Sequence, residues 1–265
     1  MSTEELLHHV LDRKLLPLFH LPGLDFNFTL HLMMLWVVSL LVVFLVARAA
    51  AARAAGGGRL AAAVEEFIVL IREEVVYPAM GPKYGKKYMP FFLTIATLIL
   101  VSNFIGLIPP IHIGPFVFGG TPTGNFWINL GLASLTYVYG IFCCAREHGL
   151  AAYFKSFLPG GVPWILAPLI WFIEFAGMFL KHIVLAIRLT ANMMAGHLVL
   201  FAILGMVGMI FSNVANPAGK LFLSAGPVLL ALGIYLLEVL VAMIQTAIFT
   251  ILAAIFFGMA VNPHH

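Results

Sequence analysis

The sequence predicts an all-α integral membrane fold in a single domain, 1–265: five membrane-crossing helices, the last two long and strongly tilted, plus a surface amphipathic helix. Three observations predict it. Hydrophobic residues make up 62% of the 265 residues and charged residues only 9%, where a soluble domain carries about 25% charge. The apolar residues gather in five runs, each long enough to cross a hydrocarbon core that takes about 20 helical residues. The last two runs are far longer than a perpendicular crossing needs.

The net charge of +3 points to no nucleic acid. The basic residues sit in short segments between the runs, as the positive-inside rule expects. Cys143 and Cys144 are adjacent near a predicted cytoplasmic helix end. Neither a structural disulfide nor a metal site follows from them, and no cofactor is expected.

The first residues, MSTEELLHHVLDRKLLPL, lack the positive start and continuous apolar core of a signal peptide. Ser2 with Glu5 forms a capping box, and Leu6, Leu7, Val10, Leu11 and Leu15 form an apolar face. This is expected to be a short surface helix within an external N-terminal segment, 1–27. The first span follows at 28–47. Arg48, Arg53, Arg59, Arg72, Lys83, Lys86 and Lys87 then crowd segment 48–88, which places it in the cytoplasm and the N-terminus outside. Within it, 49–58 is a small-residue connector. The run 60–76 sets Leu60, Val64, Phe67, Ile68, Ile71 and Val75 opposite Glu65, Glu66, Arg72 and Glu73, an amphipathic helix for the membrane face or a partner.

The second span is expected at 89–108 and the third at 126–144. Between them lies a Gly- and Pro-rich stretch without Lys or Arg, which reads as an external loop. Asn103, His112, Asn125 and Asn129 are placed to line a wet outer entrance. A lone Asn in a membrane helix more often joins two helices.

Segment 164–211 would be about 72 Å long if helical. No Gly, Pro or polar turn cluster between 181 and 192 reverses the chain, so one tilted helix is expected. Residues 212–226 are the outer turn, and 227–259 the last helix, with the C-terminus cytoplasmic. No internal repeat is present.

The long helix at 164–211 carries Glu174, Lys181, Arg188, Asn192 and His197. Ionisable groups in lipid cost roughly 2.5 to 3.5 kcal/mol each at mid-bilayer, so they face protein or water and mark an ion or substrate path. At about 100° per residue Glu174, Lys181, Arg188 and Asn192 share one stripe, with Glu174 the neighbour of Lys181, while His197 faces the opposite way. Arg188 cannot lose its proton, and the one anion on its stripe, Glu174, lies fourteen residues back as the neighbour of Lys181. The anion is expected from another subunit. A fixed cation favours the ionised form of a passing carboxylate and repels a hydronium crossing directly between two aqueous pockets. Glu238, seven residues before Gln245 on one face of the last helix, and His197 can take up and release protons. The rival reading is a static Arg188–Glu238 ion pair joining two helices.

The motif AIRLTANMMAGHL, holding Arg188, Leu189, Asn192, Met193, Ala195 and Gly196 with an ionisable residue at 197, carries a resemblance. So do SNFIGLIP at 102–109, PTGNFWINLGLA at 122–133, and the last helix with Glu238, Gln245 and TAIFTILAA. Over roughly 85–257 the chain resembles subunit a of the F-type ATP synthase membrane sector. The resemblance implies a non-catalytic stator subunit, multi-pass in a bacterial plasma (inner) membrane. Its two long helices press against a ring of c subunits whose carboxylates pass Arg188. It further implies an outer half-channel through His197 and Glu238, with Gln245 near the ring, and an inner half-channel with Glu174 near its mouth. Implied partners are the c-ring, subunit b of the peripheral stalk, the F-type catalytic head and the lipid bilayer. Many bacterial members carry a glutamate where His197 stands and a histidine where Glu238 stands; here the pair is exchanged. Some carry an acidic group in the outer loop, where this chain has His112 and Asn125.

Two readings compete. His31, His112, His182 and His197 raise haem ligation, but they form no repeated pair on two helices. A stand-alone ion carrier or channel would conduct when reconstituted by itself.

Overall fold

The computed structural model of the protein describes residues 14–21, 24–108, 111–113, 116–118, 122–150, 153–154, 157, 163 and 165–261. Five of its helices are long and apolar enough to cross a membrane. A β-hairpin, β1 (Lys14–Leu21) and β2 (Leu24–Thr29), precedes the first helix. Residues 1–13, most of the expected N-terminal surface helix, lie outside the described residues; Leu15, assigned to its apolar face, falls in β1.

Helix α1 (Leu30–Ala54) runs past the first apolar span into the alanine-rich stretch expected as a connector. Alanine is the best helix former, so the helix continues until glycine stops it. Gly57 N–H reaches the Ala52 carbonyl at 2.8 Å and Gly56 N–H the Arg53 carbonyl at 3.2 Å, with φ of 104° at Gly56 and 99° at Gly57. This Schellman-type end needs residues that tolerate positive φ.

Helix α2 (Arg59–Leu70) is the amphipathic helix expected in 60–76. A π-helical turn over Ile71–Val76 links it to α3 (Tyr77–Gly106). Ala61, Ile71 and Val75 are buried, and Glu65, Glu66 and Glu73 are exposed. Leu60, expected on the inner face, is exposed instead. α3 bends at Gly81, whose φ of 73° is followed by Pro82.

The stretch expected as an external loop contains a second, short hairpin, β3 (Ile111–Ile113) and β4 (Phe116–Phe118). Alternation of β-branched and aromatic residues suits an extended pair. A 3₁₀ turn (Pro122–Gly124) leads into α4 (Phe126–His148). The two longest helices are α5 (Ala167–Asn213) and α6 (Pro217–Val261), of 47 and 45 residues. At 1.5 Å per residue each is roughly 70 Å long, over twice a 30 Å core.

The outer turn is shorter than expected, because only 214–216 separate α5 from α6. Asn216 caps α6: its Oδ1 accepts the Ala218 N–H at 3.0 Å, and its carbonyl accepts the Lys220 N–H at 3.0 Å. Pro217 then stands at the first helical position, where a missing N–H costs nothing. Pro227, the expected start of the last helix, sits inside α6; such interruptions are tolerated in membrane helices.

The chain divides into two compact units. Unit 1 takes the described residues of Met1–Val38, Leu100–Phe126 and Leu189–Gln245; unit 2 takes those of Ser39–Ile99, Trp127–Arg188 and Thr246–His265. Unit 2 is held by aromatic packing. Phe257 meets Tyr88 at 4.8 Å and Phe92 at 5.4 Å between ring centroids, and Tyr139 at 5.9 Å. A second cluster joins Cys144, Tyr153, Phe157, Met178 and Phe256. The Cys143 and Cys144 thiols are both free and buried.

Candidate functional site

The site lies in unit 1, on α5 and α6. Antiparallel helices joined by so short a corner bring residues near 192–197 beside residues near 238–245. Asn192 donates through Nδ2 to Gln245 Oε1 at 3.1 Å. One turn on, Gly196 faces Glu238. A Cβ at position 196 would stand 2.7 Å from the carboxyl carbon and closer still to Oε1, so only glycine leaves this carboxylate its place.

Glu238 and Gln245 occupy a buried seven-residue stripe on α6 with Ser224 and Ala231, which places all four on one face. Glu238 is 5% exposed. Among the described residues neither of its oxygens has a hydrogen-bond partner, nor do His197 Nε2 and Gln245 Nε2. An unsatisfied buried polar atom costs about 1–3 kcal/mol, more when charged. Three such groups on two facing helices therefore mark a place for water or a transferable proton rather than a packed core. The His197 ring lies against Phe201, 6.4 Å between centroids. A third titratable side chain, His31 near the start of α1, is also buried in unit 1.

Arg188 has a different setting. The buried face of α5 in unit 2 is Met178, His182, Leu185 and Ala186. Glu174, Lys181 and Arg188 lie on the exposed face, beside the exposed apolar side chains Phe179, Leu180, Val184 and Ile187. Among the described residues the recorded ion pairs are Arg53–Glu65, Arg72–Glu73 and Lys87–Glu147; none involves Arg188 or Glu238, so the static pair weighed above is not formed. Nor is Lys181 paired with Glu174, since seven residues of rise is about 10 Å. The lysine lies over the Phe256 ring, 5.3 Å from its centroid.

The residues expected at an outer entrance behave differently from one another. Asn103 is fully buried and joins three elements of unit 1: Nδ2 donates to the Ala242 carbonyl at 3.3 Å, and Thr123 Oγ1 donates to Asn103 Oδ1 at 2.9 Å. That is the geometry of a clamp. Asn125 is half-buried after the 3₁₀ turn, and His112 lies on β3. Asn129 is buried in unit 2. Among the described residues no group of three or more His, Cys, Asp or Glu is placed to hold a metal ion.

Sequence reasoning took Gly196 as part of a motif without a role, though its spacing of four from Asn192 already put it on the face toward the last helix. It weighed Asn103 as a joint between helices but missed Thr123, which gives no signal of its own before the fold is known.

Comparison with known proteins identifies the family. The sequence model of the family described as ATP synthase A chain matches residues 31–258. The chain belongs to this family. Its five apolar helices make it a multi-pass membrane protein. It is 35% identical over 235 residues to ATP synthase subunit a of Chloroherpeton thalassium, covering 82% of this chain and 66% of that one. It is 34% identical over 222 residues to the subunit a of Chlorobium phaeobacteroides, covering 77% and 61%. Identity is also 34% over 188 residues with that of Anaeromyxobacter dehalogenans strain 2CP-C, covering 69% and 47%. These matches span about half to two thirds of the relatives' own length. Arg188, Asn192, Gly196, His197, Glu238 and Gln245 all fall inside the stretch that matches the ATP synthase A chain family.

Proposed function

We propose that this chain is the stator channel subunit of an F-type ATP synthase, offering two offset proton half-channels to a rotating ring of c subunits. One observation carries the reading. Arg188 stands exposed on an apolar helix face with no ion pair recorded among the described residues, and a bare guanidinium in lipid demands an anion from elsewhere. A ring carboxylate passing at that depth supplies one. While paired it is held ionised, because the permanent cation favours the charged form; moving off, it takes a proton from one side or has given one to the other.

The outer half-channel delivers protons by way of His197 and Glu238. Their unpartnered buried atoms suit a hydrated relay, and Gln245, tethered to Asn192, stands where the relay meets the ring. Glu174 marks the mouth of the inner half-channel. The chain itself performs no bond chemistry; subunit b of the peripheral stalk and the catalytic head complete the machine. The site needs no cofactor. The proposed setting is a bacterial plasma membrane, with the N-terminus outside and the C-terminus in the cytoplasm.

The test is Arg188→Gln in the assembled complex, in sealed vesicles. Proton-driven ATP synthesis is expected to fall below detection while the complex still assembles. Synthesis at the ordinary rate overturns the proposal. Proton conduction by the purified chain reconstituted alone favours the carrier reading instead.

A further inference from the structure

Unit 2 contains a cavity that the half-channel scheme does not use. It offers about 10 Å³ of space to the centre of a water, room for about one molecule, and is lined by Thr136, Tyr137, Tyr153, Met178, His182 and Phe256, among others. His182 is 5% exposed. Its Nδ1 lies 2.8 Å from the Met178 carbonyl, and a carbonyl only accepts, so Nδ1 carries the hydrogen. The neutral ring therefore presents a lone pair on Nε2, which has no hydrogen-bond partner among the described residues.

The other polar groups in the wall complement that lone pair. Tyr153 donates its hydroxyl to Tyr137 Oη at 3.3 Å, which leaves the Tyr137 hydrogen for a further acceptor. Thr136 donates to the Leu132 carbonyl at 2.9 Å, which leaves its oxygen lone pairs open. The rings of Tyr137 and His182 are 5.0 Å apart between centroids. A water here can accept from Tyr137 and donate to His182 Nε2 and Thr136 Oγ1. Three partners suffice to hold a buried water.

We propose that His182 with this water-holding cavity is a proton relay on the stretch of α5 that carries Glu174 and leads to Arg188. The inference rests on the stator reading and extends it to an exit-side residue. The step uses water alone. A hydronium in the cavity gives its proton to Nε2; an O–H bond breaks and an N–H bond forms, leaving water and an imidazolium still bound through Nδ1–H to Met178. The proton then returns from Nε2 to the next water outward. The titratable groups facing the ring from other elements are Tyr137 and Tyr153. The packed surface of α6 offers Ala253, Phe256 and Phe257, and Lys181, the neighbour on α5, is turned over Phe256.

The test uses the whole complex in sealed vesicles, with passive proton conduction measured after the catalytic head is stripped. His182→Phe, which fills the space without a titratable nitrogen, is expected to lower conduction about tenfold. His182→Ala is expected to lower it similarly and to regain most of the rate when millimolar imidazole is added, a response a purely structural histidine would not give. Full conduction by His182→Phe overturns the relay, as does an assembled His182→Ala complex indifferent to imidazole. Arg188→Gln run in parallel separates the two ideas. If it makes ATP normally the stator reading falls; if it is inactive while His182→Phe conducts normally, only the relay falls.

Discussion

The two units of the molecule are built from different materials. Among the described residues, the buried side chains of unit 2 include Tyr88, Phe92, Tyr153, Phe157, Phe249, Phe256 and Phe257, whereas those of unit 1 include no Phe, Tyr or Trp. Unit 1 buries Met34, Val38, Leu107 and small alanines beside His31, Ser102, Asn103, Thr123, Glu238 and Gln245. Interlocked rings gain dispersion and tolerate few gaps. A polar interior gains little and leaves atoms that only water or a proton satisfies. In this chain stability and transport are thus drawn from different residues, and mutation can pull them apart.

Within unit 1 the largest expected effect on transport is Glu238→Gln, which keeps shape and removes the proton. Head-stripped vesicles should conduct about 100-fold more slowly with the complex still assembled; an unchanged rate would break the comparison at its centre. Gly196→Val should lower conduction about tenfold by displacing the same carboxylate, and Gly196→Ala less. Phe257→Ala reverses the pattern. It should cost about 3–5 kcal/mol in detergent unfolding while those complexes that do assemble conduct within about twofold of the parent. Asn103→Leu cuts the clamp and should cost about 1 kcal/mol with little change in rate. Smallest of all, a double-mutant cycle on the exposed Arg53–Glu65 pair should read no coupling above error.

The membrane-crossing architecture was legible because five apolar runs leave little choice. The single helix through 181–192 was legible for want of any breaker. What misled was punctuation. Pro217 read as the middle of a turn, yet with Asn216 before it the same residue opens a helix. The alanines after Arg48 read as a connector until the glycines beyond them are seen as the real stop. The hairpin at 111–118 lies in a segment whose glycines and prolines say only that it is a loop.

At the site, the charges on α5 and α6 could be placed on faces from spacing alone. Their surroundings could not. Periodicity says that Glu238 and Gln245 share a side of α6, but only the packing of α5 shows that Asn192 reaches Gln245 and that Gly196 yields its volume to Glu238. His182 drew notice only as a haem ligand, because the carbonyl at Met178 that fixes its tautomer is invisible as a residue type.

The three-residue corner between α5 and α6 has a mechanical consequence. With Asn216 capping α6 and a proline locked behind it, neither helix can slip lengthwise past the other by a turn without breaking that joint. Torque applied to this part of the chain can tilt the hairpin as a body, but it leaves the axial register of His197 against Glu238 unchanged.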